Sequence, residues 1–203
     1  MEGKNPVKTY PTIACCGLDC GLCPTYYTKG TSRCPGCCGP DFFNKHPSCS
    51  ILTCCVKKNN FETCAQCKEF PCSKLKDWDE YDSFICHRVS LTNLNLIKKK
   101  GLEEFFKQQE KRIKFLETML ESFNEGRSKS FYCIATALLP LNDLEHALNK
   151  SNDEINSEGI ELNDLKAKSK ILRTYLNQCA NKRKIELKLR KKKEKIFVKL
   201  KVK

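Results

Sequence analysis

A chain of 203 residues has room for one or two domains, and 16 of its residues are cysteine, several times ordinary usage. No run approaches the ~18 apolar residues of a membrane span, and the opening residues 1–13 carry two prolines and no apolar signal-peptide core, so the sequence reads as cytoplasmic and unattached to membrane. The formal charge of +13 is concentrated in residues 182–203, where 12 Lys or Arg face 2 Glu, so the basic character belongs to the tail.

Fourteen cysteines lie between Cys15 and Cys86. In a reducing compartment such clustering points to metal rather than disulfides. Residues 1–90 are rich in Gly, Pro and Cys and poor in long apolar runs, so they read as an irregular, metal-stapled module. A structural zinc site contributes about 10–16 kcal/mol apparent, enough to replace a weak core. Residues 91–181 read as a helical region and 182–203 as a basic tail. The fold class expected is α+β, mostly α, with the cysteine module packed on the helices.

In chain order, the module opens with Cys16-Gly-Leu-Asp-Cys20-Gly-Leu-Cys23-Pro24. The pair Cys34-Pro-Gly-Cys37 follows, then Cys49 and Cys54 with four residues between them, then Cys64-Ala-Gln-Cys67 closing at Cys72. A short helix is expected over 91–99, stopped by Gly101. The clearest helix runs over 102–123, where Leu102, Phe106, Gln109, Ile113, Leu116, Leu120 and Phe123 fall on one face. Residues 130–139 form an apolar, buried helix ended by Pro140. A turn is expected from Asn142 through Leu148, then a polar loop over 149–160. Asn163 is the expected N-cap of a helix carrying Leu165, Leu172, Leu176 and Cys179. In the tail, Ile185, Leu187 and Leu189 alternate, as do Ile196, Val198, Leu200 and Val202, which favours a β-hairpin over one helix.

Two thiolates must converge on one ion at ~2.3 Å for zinc, and a two-residue spacer turns the chain enough to bring them together. Small residues such as Gly36 let the backbone bend, and its amides can bond the sulfurs. Three such pairs within fifty residues are a specific signal. The candidate ligands are Cys16, Cys20, Cys23, Cys34, Cys37, Cys49, Cys54, Cys64, Cys67 and Cys72, two more than a pair of four-sulfur sites needs. The pairs Cys34–Cys37 and Cys64–Cys67 suit zinc. The first group instead has the C-x3-C-x2-C spacing with which radical-SAM enzymes hold an iron–sulfur cluster. Those enzymes need a barrel for which this chain has no room, so the alternative is a 4Fe–4S cluster without that enzymology. No pair has the strand–helix context of a thioredoxin-like motif.

The opening CGLDCGLCP, the CPGC pair, the CSILTC spacing and the closing CAQCKEFPCSKL resemble the domain of unknown function 3795 family, as does the helix–glycine–helix stretch over 94–112. That resemblance implies a metal-binding module, with zinc the expected ion, and brings no reaction with it. Cys15, Cys38 and Cys55 fall outside the family pattern and are left out of the site.

Single features have plainer readings. Cys86, Cys133 and Cys179 suit small buried hydrophobes. His46, near Cys49, is a minor ligand candidate, whereas His87 and His146 read as surface or interface residues. Asp19 reads as a turn residue bonding backbone amides. The 102–123 stripe reads as packing against 131–139 and the cysteine module, with a dimer seam as the rival. The tail's lysines could bind nucleic acid, although only Phe197 interleaves with them. The expected function is a structural zinc-binding or adaptor module with an unknown protein partner. An iron–sulfur redox protein and a nucleic-acid-binding regulator are the alternatives, and no residue is assigned to catalysis.

Overall fold

The computed structural model describes residues 6–47 and 49–192. Two brief helices, α1 (Phe42–Lys45) and α2 (Ser50–Leu52), sit within the cysteine-rich stretch. Four longer ones follow: α3 (Ser90–Ser122), α4 (Lys129–Leu138), α5 (Leu141–Ser157) and α6 (Leu165–Lys182). The α+β expectation is overturned. Every regular element among the described residues is helical, and extended backbone pairs only at an isolated antiparallel bridge between Ile13 and Asp19.

Of the expected hairpin, residues 185–189 pair with no strand among the described residues, and side chains take up backbone groups there instead. The Arg88 guanidinium donates to the carbonyls of Glu186 and Lys188, each at 2.7 Å. The Arg190 N–H donates to Asp82 Oδ2 at 2.7 Å, and the Asp82 N–H donates back to the Arg190 carbonyl at 2.9 Å. The chain therefore runs as a strap over residues 79–88. Ile196, Val198, Leu200 and Val202 lie outside the described residues.

Gly101 adopts φ 86° and ψ 170° inside α3, so the expected stop appears as a break within one long run. The buried face of α3 is turned slightly from the expected stripe. Phe105 and Met119 are buried where Phe106 and Leu120 are half-buried, while Gln109, Leu116 and Phe123 lie inside as expected. One end of α3 packs on the cysteine module through Leu94, Ile97 and Phe105, and the other joins α4, α5 and α6 through Leu116 and Met119.

The helix α4 matches its apolar segment, ending against Pro140. The expected loop over 149–160 is mostly helix, because α5 continues to Ser157. Ser151 and Ile155 extend the buried face of Leu144 and Leu148, and the Ser151 hydroxyl donates to the Ala147 carbonyl at 2.6 Å. Packing on α6 overrides a run of weak helix formers. Asp164 rather than Asn163 caps α6, accepting the Ala167 N–H at 2.9 Å.

The cysteine module has more apolar core than its sequence suggests. Ile13, Phe42, Ile51, Leu52, Phe70 and Leu75 are buried with Cys15, Cys16, Cys37, Cys38 and Cys55, and α3 closes the cluster. No helix among the described residues is long and apolar enough to cross a membrane.

Candidate metal centre

The ten candidate cysteines surround two separate cavities. Cys54, Cys64, Cys67 and Cys72 line a small one of about 30 Å3 with Cys55, Ile51, Phe61, Phe70 and Leu75. Cys16, Cys20, Cys23, Cys34, Cys37 and Cys49 line a larger one of about 280 Å3 with Cys15, Trp78, Phe84, Phe42 and Leu52. The pairs Cys34–Cys37 and Cys64–Cys67, grouped by spacing, thus face different cavities.

Local chain geometry explains the small site. Cys54 lies in a single π-type turn, Thr53–Lys58, entered from α2; such turns mark functional sites. Cys64 opens a one-turn 3-10 segment, Cys64–Gln66, and Cys67 follows it with its N–H on the Cys64 carbonyl at 3.1 Å. Gln66 Oε1 accepts the N–H groups of Glu62 at 2.6 Å and Thr63 at 3.2 Å, fixing the entry to that turn. The Cys64 N–H donates to the Cys15 carbonyl at 2.8 Å, which joins the walls of the two cavities.

In the large site, the turn Cys20–Leu22 is held by the bridge at Asp19 and by α3. Gln109 Nε2 donates to Asp19 Oδ1 at 2.7 Å and to the Thr12 carbonyl at 3.0 Å. Asp19 is buried, which pushes its carboxyl up to about 6 against the opposing pull of Gln109, Arg112 and the N–H groups of Leu22 and Gly21. Its turn role matches expectation, and its link to α3 does not follow from spacing. The Cys23 sulfur lies 3.0 Å from Thr25 Oγ1 and receives backbone N–H groups of Thr25 and Tyr26. The Cys49 sulfur accepts the Leu52 N–H at 3.3 Å. Such N–H donors to sulfur orient and stabilise thiolate ligands.

Among the described residues no three His, Cys, Asp or Glu side chains converge on one point as ion ligands do. The sulfurs ring the cavities instead. Burial pushes the Cys20 thiol well above the usual range, and contact with Cys15, then burial, pushes Cys37 up to about 12, whereas contact with Cys55 pulls Cys64 down.

Four residues outside the sequence-based set belong to this region. Lys8 is buried, its ammonium donates to the Ile13 carbonyl, and its nearest carboxylate, Glu62, is 4.0 Å away. Its charge acts on Cys20, Cys37, Cys38 and Cys64. A buried ammonium among thiols fits a site carrying surplus thiolate charge. Cys15, Cys38 and Cys55 are also buried, and Cys15 and Cys55 touch each other and Cys37 and Cys64 respectively, so sulfur runs continuously between the two cavities. The three Cys-Cys doublets in the sequence were the signal for them.

His87 departs from its surface reading. It is buried on the wall of the large cavity. Its Nδ1 donates to the Trp78 carbonyl at 3.1 Å, and Nε2 lies 3.0 Å from Ser83 Oγ. Both nitrogens are engaged in hydrogen bonds within the protein. His46 lines the same cavity, stacked on Phe42. His146 is exposed, and Cys86, Cys133 and Cys179 are buried, as their plain readings hold.

No curated protein and no solved structure matches the chain. Residues 12–77 match the sequence model of a family described as a protein of unknown function, DUF3795. The match takes in all ten candidate cysteines and stops short of the 94–112 stretch. The cysteine-rich stretch over 12–77, about a third of the chain, is thus similar to the DUF3795 family.

Proposed function

We propose that the DUF3795 module is a metal-binding unit with two cysteine sites, and that Cys54, Cys64, Cys67 and Cys72 hold a structural zinc ion. The supporting observation is the division of the ten cysteines, four about one cavity and six about the other. The cavity that these four cysteines help to line is small, about 30 Å3, which suits a single ion rather than a larger group. Binding an ion draws those sulfurs inward and fixes the loop from Cys64 to Cys72, which otherwise rests on a few turns. The ion staples the turn at Cys54 to the loop from Cys64 to Cys72, so the module serves as a rigid binding or adaptor surface in the cytoplasm.

The test is metal content after purification without oxygen. The expected result is bound zinc that Cys64→Ser and Cys67→Ser each remove and Cys34→Ser leaves in place. A protein that holds no metal, and takes up none on titration with zinc, overturns the proposal.

A further inference from the structure

The six-cysteine cavity is far too large for one ion. At about 280 Å3 it is roughly nine times the size of the four-cysteine cavity. Seven cysteines and a mainly apolar surface line it, with Thr25, Tyr26, Ser83 and two histidines among the other residues, and it opens to solvent past Cys49 and Phe84. A polynuclear group carrying its own bridging atoms fills it.

The six cysteines are not equivalent. Cys16, Cys23 and Cys37 are buried, and Cys20 is half-buried with its sulfur against Cys37 and Cys23. Cys34 is half-buried, and Cys49 is exposed with its sulfur engaged in capping α2. The three buried sulfurs have two half-buried neighbours, Cys20 beside Cys37 and Cys23, and Cys34 beside Cys23, and Cys20 alone of these two receives the Cys37 N–H.

A further polar group waits in the same wall. The indole N–H of Trp78 is buried and has no hydrogen-bond partner among the described residues. An orphaned donor of this kind calls for an acceptor, and the cavity contains no oxygen placed to serve. The sulfur atoms of a cluster are such acceptors, and N–H donors to them raise its reduction potential.

We infer that the large cavity is an iron–sulfur cluster site, with Cys16, Cys20, Cys23 and Cys37 as the ligands of a 4Fe–4S cluster and Trp78 as a positioning residue donating to one of its sulfurs. The inference rests on the two-site reading above and assigns the ion class of the second site. Cys34 and Cys49 stand at the rim and hold no iron.

The test uses the full chain, purified anaerobically and supplied with ferric iron, a thiol reductant and sulfide. The readouts are iron, sulfide and zinc content, the visible absorbance of the cluster, and its paramagnetic signal after one-electron reduction by dithionite. Wild type is expected to bind iron and sulfide in equal amounts, roughly four of each, besides zinc. Cys20→Ser and Cys37→Ser are expected to lose at least half of the iron, whereas Cys34→Ser and Cys49→Ser keep it. Cys64→Ser is expected to lose zinc and keep iron. Trp78→Phe keeps the iron and moves the potential to a more negative value. Two zinc ions and no iron overturn this inference and leave the two-site reading standing; absence of any metal overturns both. Equal iron loss in all the cysteine variants, or an unmoved potential in Trp78→Phe, removes the ligand assignment or the Trp78 role respectively.

Discussion

Gln109 is a buried polar residue in the middle of the longest helix, and its replacement by leucine probes how the cysteine turn is held. The side chain is 3% exposed. Its Nε2 donates to Asp19 Oδ1 at 2.7 Å and to the Thr12 carbonyl at 3.0 Å, and its Oε1 accepts from Thr12 Oγ1 at 3.1 Å. The bond to the carboxyl contributes ~1.5–3 kcal/mol and the neutral ones ~1 kcal/mol each. Leucine keeps the volume and adds apolar contact, which offsets part of the loss, and Asp19 retains the N–H groups of Leu22 and Gly21. The expected cost of Gln109→Leu is about 3 kcal/mol. The assay is urea unfolding of the metal-loaded protein, for Gln109→Leu, Asp19→Asn and the double variant. The cycle should show a coupling of ~1–3 kcal/mol, since the two residues touch. Additive effects, or a Gln109→Leu cost under ~0.5 kcal/mol, would refute the view that Asp19 is pinned through this helix.

Three further outcomes are expected. Gly17 and Gly101 share φ +86°, but a Cβ on Gly17 would stand 2.2 Å from the Ser90 carbonyl oxygen and one on Gly101 meets nothing within 4 Å. Thermal unfolding should therefore show Gly101→Ala costing ~1–2 kcal/mol for conformation alone and Gly17→Ala clearly more; equal losses would remove the clash. Asp82 is buried, which pushes its carboxyl up, but the N–H groups of Arg190 and His87 and the charges of Arg88 and Arg190 outweigh burial and hold it below the usual range. Its contribution is complete above the unfolded value of ~3.9 and is lost only as pH falls through the lower folded value. Asp82→Asn should cost ~2–4 kcal/mol, steadily from pH 5 to 8 and less below ~4; a deficit that grows toward low pH contradicts the sign. Chelation at neutral pH should change the fluorescence of Trp78, the one tryptophan, while helical circular dichroism largely persists, because the cluster of α4, α5 and α6 is built mainly without the ligand cysteines. Joint collapse of both signals would show that the helices depend on the metal.

Much of this was legible in the sequence, and the rest fails for physical reasons. Gly101 and Pro140 act on the backbone directly, so the break in α3 and the end of α4 follow from the residues themselves. The ten cysteines announce themselves by spacing. Which of them share a cavity does not follow, because spacing constrains only neighbours within a turn. The partners of Cys54 and of Cys37 are set by how the whole loop system folds on α3. Cys15, Cys38 and Cys55 were passed over because they fall outside the family pattern, and only burial shows that the second thiol of each doublet is also inside. The polar stretch in α5 was misread because the packing of Ser151 and Ile155 on α6 is a long-range fact. The strap over 79–88 depends on Arg88 and Asp82 capturing backbone groups about a hundred residues away, beyond the reach of any local pattern.

Native mass spectrometry of the full chain, isolated and sprayed without oxygen, weighs the two cysteine sites directly. The account predicts a polypeptide carrying one zinc ion and one 4Fe–4S unit, with Cys64→Ser lighter by the zinc alone. A bare chain, or one lighter by the hydrogens lost to disulfides, would contradict metal binding at both sites.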